Sequence, residues 1–239
     1  MTFPKYLHFF IKEFNKNKSK IARVFFTIFI SLVIFSSVTI LKNSIENQIK
    51  NNSKILLGGD LELSTKSQAL DLNLLDELRE SFFITKIIEF TSIVRTKNEE
   101  SKTTRIKVID NFYPLIGNVI AEPAGSLELL KSKPNTILID RSTQNNLDLK
   151  LGDRIIIQNT SFEIIGVIKS LPDIGGFFLF GDQALINESS FKDLKINNLG
   201  SFFVFKYKLL KKDNNQELLN NFSKNKNLEI KYPDDVSQN

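Results

Sequence analysis

The sequence predicts an α+β domain carried on one N-terminal transmembrane helix, with a short amphipathic helix ahead of the span. Three observations lead there. Residues 24–41 form an uncharged run of eighteen residues, thirteen of them Val, Ile, Leu or Phe. Positive charge is concentrated before that run. Lys5, Lys12, Lys16, Lys18, Lys20 and Arg23 against Glu13 sum to +5, the net charge of the whole chain, so residues 24–239 sum to zero. Beyond the run, β-branched and aromatic stretches punctuated by Gly, Pro and Asn alternate with helical periods.

The chain opens with a candidate interfacial element. At helical spacing Phe3, Tyr6, Leu7, Phe10, Ile11 and Phe14 share one face, while Lys5, His8, Lys12 and Lys16 share the other. Thr2 can cap such a helix, and Pro4 sits in the first turn, where a missing N–H costs nothing. A basic amphipathic helix of this kind lies in the membrane interface. Residues 1–20 are therefore expected to form a cytoplasmic elbow. The alternative, packing on a cytoplasmic domain, lacks the preceding residues such a domain would need.

The span follows. At about 1.5 Å per residue the run covers about 27 Å, and Ile21, Ala22 and a snorkelling Arg23 extend it to about 31 Å, the thickness of a bilayer core. Residues 21–41 are thus expected to cross the membrane. The positive-inside rule places the N-terminus in the cytoplasm and sends residues 42–239 across. A cleaved signal peptide fits poorly, because the run is too long for an h-region and no small-x-small site follows it.

Past the membrane, Lys42–Ser53 is polar and helix-compatible. Ile55–Ser64 reads as a strand interrupted at Gly58-Gly59. Leu72, Leu75, Leu78 and Phe82 recur at helical spacing, predicting a helix over Leu72–Ser81. Phe83–Arg95 and Thr103–Ile109 read as strands joined by a turn at Asn98–Ser101. An irregular stretch with Pro114, Gly117, Pro123 and Gly125 precedes a short apolar run, Thr136–Ile139. Further strands are expected over Ile155–Gln158, Phe162–Ile168, Ser201–Leu209 and Leu228–Tyr232, with a polar helix over Asn215–Phe222. Gly175–Gly181 encloses four consecutive large apolar residues. They suit either a strand buried on both faces, the commoner use, or a projecting contact patch.

Composition excludes much chemistry. The chain has no cysteine and one histidine, so disulfides, thiolate metal sites and His-dependent triads are ruled out. The basic balance is an orientation signal and gives no support for nucleic-acid binding. Lys (26) far exceeds Arg (6) and Asn reaches 24, a bias that leaves individual lysines little functional weight. There is no G-x-x-x-x-G-K-[ST], and neither Gly58-Gly59 nor Gly175-Gly176 has dinucleotide-loop spacing. Asp60, Asp153 and Asp182 each follow a glycine at a strand border, where an Asx side chain closing a turn explains them. Glu99-Glu100 reads as a solvated pair at a hairpin tip. No catalytic, cofactor-binding or metal-binding residue is expected.

Several pieces in order carry a family resemblance: I-L-L-G-G-D-L-E-L-S (55–64), I-K-V-I-D-N-F-Y-P-L-I-G (106–117), P-A-G-S-L-E-L (123–129), L-D-L-K-L-G-D-R-I-I-I (147–157), F-E-I-I-G-V-I (162–168) before Pro172-Asp173, and L-G-S-F-F-V-F-K-Y-K-L (199–209). With the elbow and single span, they resemble FtsX/MacB-type ABC transporter permeases, most nearly the YbbP-like kind. The resemblance implies a MacB-like periplasmic core domain over 42–239. A porter-like α+β part would comprise 43–105 and 185–239, with a β-rich insert over 106–184. It further implies a permease subunit in the bacterial inner membrane that works with a separate cytoplasmic ABC ATPase. Membrane lipid, a lipoprotein or another exported substrate, and a periplasmic partner would complete its contacts; no nucleic acid enters. Such permeases continue into further membrane helices, so a truncated or split permease is expected. The competing reading is a single-pass anchored binding or assembly module uncoupled from ATP.

Overall fold

The computed structural model describes residues 16–66, 68–173, 182–194, 203–212 and 228–236. The elbow expected up to residue 16, the Gly175–Gly181 run and the helix expected over Asn215–Phe222 lie outside the described residues, except for Lys16 itself. The chain divides into two compact units, residues 1–48 and 49–239.

In the first unit a helix, α1 (Lys18–Asn51), runs through the apolar stretch and continues into the polar residues after it, as expected. Its large side chains are exposed; Phe35 is 72% exposed and Phe25 66%. A helix this apolar with no buried face needs lipid as its solvent. Its hydroxyls are compatible with that solvent. Thr27, Ser31, Ser37 and Thr39 each donate to the carbonyl four residues earlier, at 2.8–3.0 Å. No hydroxyl proton among these four is left facing hydrocarbon.

The second unit is mixed α and β. Its described elements are α2 (Ser53–Leu57), β1 (Leu61–Lys66), α3 (Leu72–Ser81), β2 (Phe82–Arg95), β3 (Ser101–Ile109), β4 (Ile120–Glu122), α4 (Ser126–Ser132), β5 (Thr136–Asp140), α5 (Arg141–Asn146), β6 (Arg154–Ile157), β7 (Thr160–Ser170), β8 (Gln183–Asn187), α6 (Glu188–Asp193), β9 (Val204–Lys211), β10 (Glu229–Lys231) and α7 (Pro233–Val236). One expected strand starts differently. Ile55-Leu56-Leu57 closes a helical turn, with Gly58 at φ 79° donating to the carbonyls of Lys54 and Ile55. A three-residue apolar run has no period of its own, and the left-handed glycine decides for helix termination.

Among the described residues ten strands form one mixed sheet. At one end β10, β1, β9 and the first half of β2 pair antiparallel. At the other end the pairing closes on itself, β2–β3–β8–β5–β7–β6 and back to β2 through Val94↔Ile157 and Arg95↔Ile156. β2 therefore belongs to both halves. At about 3.4 Å per residue its fourteen residues reach about 45 Å.

Three cores follow from this layout. Alternate residues such as Val94, Ile106, Ile155, Phe162 and Ile186 fill the ring, where Phe90, Phe191 and Phe203 meet with ring centroids 5.4–5.8 Å apart. Leu75 and Leu78 of α3 pack on Leu61, Leu63, Tyr207 and Leu209 of the open half. Leu130 of α4 packs with Leu138, Leu185 and Tyr113 outside the ring.

Candidate functional site

Strands β1, β9 and β2 turn leucine and aromatic residues toward α3 and charge toward the other face. Lys206 and Lys208 flank Tyr207, and Glu62 stands between Leu61 and Leu63, because successive side chains alternate across a strand. Register aligns the charges: Glu62 lies opposite both Lys231 and Lys208, and Glu89 lies opposite Lys107. The face is nevertheless covered. Tyr113, from the loop after β3, and Asp173, three residues beyond β7, close over it. The side chains of Glu62, Lys107, Lys208 and Asp173 are only 2–8% exposed.

The covered charges form a chain, Lys206–Glu89–Lys107–Asp173–Tyr113, beside a Lys208–Glu62 pair. Lys208 Nζ donates to Glu62, and Lys206 Nζ lies 2.7 Å from Glu89. Lys107 Nζ is 4.0 Å from Glu89 and donates to both oxygens of Asp173 at 3.0 Å. The Tyr113 hydroxyl donates to Asp173 at 2.6 Å. Three ammonium groups thus face three carboxylates.

Burial alone would raise the Asp173 and Glu62 carboxyls. The charges of Lys107 and Lys208 on Asp173, and of Lys208 and Lys206 on Glu62, outweigh it and hold both below the usual range. Burial would likewise lower the Lys206 ammonium, but Glu89 and Glu62 push it up. The Tyr113 phenol is driven well above its ordinary value by burial and then by the Asp173 charge. Every shift favours the ionised pairs and the neutral phenol at neutral pH. Such a cluster ties together the backbone segments that carry it.

Glycine lets the segments approach. A Cβ at Gly58 would stand 3.2 Å from Asp173 Cβ, and one at Gly59 2.6 Å from the Leu209 carbonyl oxygen. At Gly117, with φ 78°, it would stand 2.5 Å from Pro172 and 3.3 Å from Ile55. The end of α2, strand β9, the loop after β3 and the segment after β7 therefore meet around the charge chain.

A family model described as the MacB-like periplasmic core domain matches residues 24–221. The chain belongs to that family. A curated relative, described as the uncharacterized ABC transporter permease YbbP of Escherichia coli (strain K12), is 21% identical over 169 residues, 70% of this chain and 20% of the relative. The chain thus matches about one fifth of that protein's length. The crystal structure of the periplasmic region of MacB from Actinobacillus actinomycetemcomitans has a TM-score of 0.52 at 16% identity, covering 77% of this chain and 96% of that one. The extracellular domain of the noncanonic ABC-type transporter YknZ from Gram-positive bacteria has a TM-score of 0.48 at 13% identity, covering 72% and 98%. The α+β class and MacB-like fold read from the sequence are those observed.

Within this MacB-like domain the residues singled out by sequence separate. Asp153 closes its turn as expected, accepting from the Lys150 amide at 2.8 Å. Asp60 reaches further, accepting from Lys54 Nζ at 2.7 Å and from the Lys211 amide at 3.0 Å, which ties the end of α2 to β9. Asp182 pairs with Lys102 at 2.8 Å. Glu99 and Glu100 are exposed at the hairpin tip. Three of the lysines given little functional weight have a structural place: Lys107 and Lys208 are buried, Lys206 is half-buried, and all three are paired. Their signal was present as Lys206 and Lys208 two apart in β9, opposite Glu62 in a partner strand, but such a stripe ordinarily faces water.

Proposed function

We propose that this chain is a permease subunit of an ABC transporter of the mechanotransmission type. It acts with a separate cytoplasmic ATPase on a lipid, lipoprotein or other exported substrate. The observation that carries this reading is the MacB-like domain joined to an unburied apolar helix, with +5 of charge on the N-terminal side of that helix and none net beyond it. The charge asymmetry orients the N-terminus to the cytoplasm and the domain to the periplasm of a bacterial inner membrane. ABC transport needs a nucleotide site, these 239 residues contain no Walker A motif, and the reading assigns hydrolysis to a partner. The permease description of the YbbP relative supports the same role.

The chain's part is mechanical. The apolar helix follows the ATPase cycle, the domain carries that movement to the exported substrate, and membrane lipid surrounds the span. The test is purification of the tagged full chain from its native membrane in mild detergent. Stoichiometric recovery of a Walker-motif protein, with ATP hydrolysis abolished by mutating that partner's P-loop lysine, is expected. Saturable micromolar ATP binding to the chain alone, or homogeneous recovery without an ATPase, would refute the reading and favour an anchored module uncoupled from ATP.

A further inference from the structure

We infer that Asp173 is a latch, a positioning residue that locks the closed strand ring to α2, the first element after the apolar helix. This deepens the proposed transport role by naming the joint through which movement would pass. Three observations carry it. The first is covalent: Asn52 alone separates α1 from α2. The second is contact. Gly58, which ends α2, approaches both Asp173 Cβ and the Lys208 side chain, and Gly117 bridges Ile55 of α2 to Pro172. The third is the bonding of Asp173. It sits three residues past β7, yet its carboxylate is held by Lys107 of β3 and by Tyr113. That one carboxylate pins the segment after β7, on which the end of α2 packs, to β3 and the loop that follows it.

None of this cluster belongs to a hydrophobic core except Tyr113. Each half of the sheet has its own apolar packing, so removing the latch leaves both cores filled. What it removes is the directional, charge-assisted hold on the segment against which α2 packs. A charge-balanced buried network of this kind contributes geometry more than net stability.

The chain contains no cysteine, so a pair of spin labels can be placed without background. Asn52→Cys sits on an exposed residue between α1 and α2, and Leu151→Cys sits on an exposed turn of the ring. Distances between the labels are measured by pulsed electron resonance on the full chain in lipid nanodiscs. The unaltered background should give one narrow distribution. Asp173→Asn should give a distribution at least twice as broad, or a second distance, while near-ultraviolet circular dichroism still melts in one transition. Tyr113→Phe, which removes one hydrogen bond to the latch, should broaden it less.

Distributions as narrow as the background in both variants would overturn the assignment. Collapse of the whole fold in Asp173→Asn would overturn it as well, since the carboxylate would then be a determinant of folding. The measurement uses neither nucleotide nor partner. Its failure therefore removes the latch and leaves the transport reading to be judged by the purification test.

Discussion

Replacing Lys107 with Met tests whether the covered charge chain is energetically what its geometry says. The methionine keeps the length and apolar stem but deletes the ammonium. Asp173, 2% exposed, is then left with Tyr113 as its near partner, and Glu89, 12% exposed, with Lys206. Removing one member of a buried ion pair costs about 3–5 kcal/mol, chiefly because the other charge stays buried. For a domain of this size each kcal/mol moves Tm by about 2–4 °C, so the drop should be about 6–20 °C. Near-ultraviolet circular dichroism is the assay, because Tyr113 and Tyr207 are buried in the second unit and α1 contains no tyrosine. Adding Asp173→Leu to Lys107→Met removes the stranded carboxylate and should recover most of the loss. A drop equivalent to less than about 1 kcal/mol, the range of exposed pairs, would refute the burial argument. So would a double variant no more stable than the single one.

Other outcomes follow from the same geometry. Gly59→Ala, which drives a methyl to 2.6 Å from the Leu209 carbonyl, should cost about 1–3 kcal/mol. Gly152→Ala meets no atom within 4 Å and should cost only the left-handed backbone penalty of about 1–2 kcal/mol. Urea titration measures each, and a cost below about 1 kcal/mol for Gly59→Ala would contradict the close approach. Asp173 and Glu62 have folded-state pKa values below their unfolded ones. Their contribution is therefore fully present above about pH 4–5 and lost as pH falls through the lower folded values. The urea midpoint should be flat from about pH 5 to 7 and fall below about pH 4; a midpoint still level at pH 3 would contradict the shifts. A reporter fused after Lys150 should be active only if it functions outside the cytoplasm. Moving lysines from before residue 21 to after residue 42 should weaken or invert insertion, and unchanged orientation would count against the charge argument.

How much was legible depended on whether a segment's partner was its own sequence neighbour. The helix over about Leu72–Ser81 was readable because its apolar period is local; the structure adds the Asp71 cap, whose side chain accepts from the Asn73 amide. The hairpin β2–β3 was equally local. Strand β8 escaped notice: Ala184, Leu185 and Ile186 are all buried in a short run flanked by polar residues, and they make sense only beside β3 and β5. Helices α4 and α5 are too short for a period; the Asp140 cap of α5, accepting from the Thr143 amide, emerges only in the structure. The charge chain was the least readable feature. Alternating Lys and Glu indicates a wet face unless something covers it, and the covering residues, Tyr113 and Asp173, are remote in sequence from the strands they cover.

Strand β2 carries a constraint on how this domain can vary. Ile84 serves the core under α3, Ile87 the one outside the ring, and Phe90 and Val94 the ring interior. Inserting or deleting one residue in its middle would reverse the facing of every side chain beyond that point. Length variation in this domain should therefore collect in its turns, with β2 keeping a fixed count. All six ring strands lie between Phe82 and Asn187, so a gene fragment with those ends keeps every wall of the ring but leaves the first half of β2 without β9 beside it.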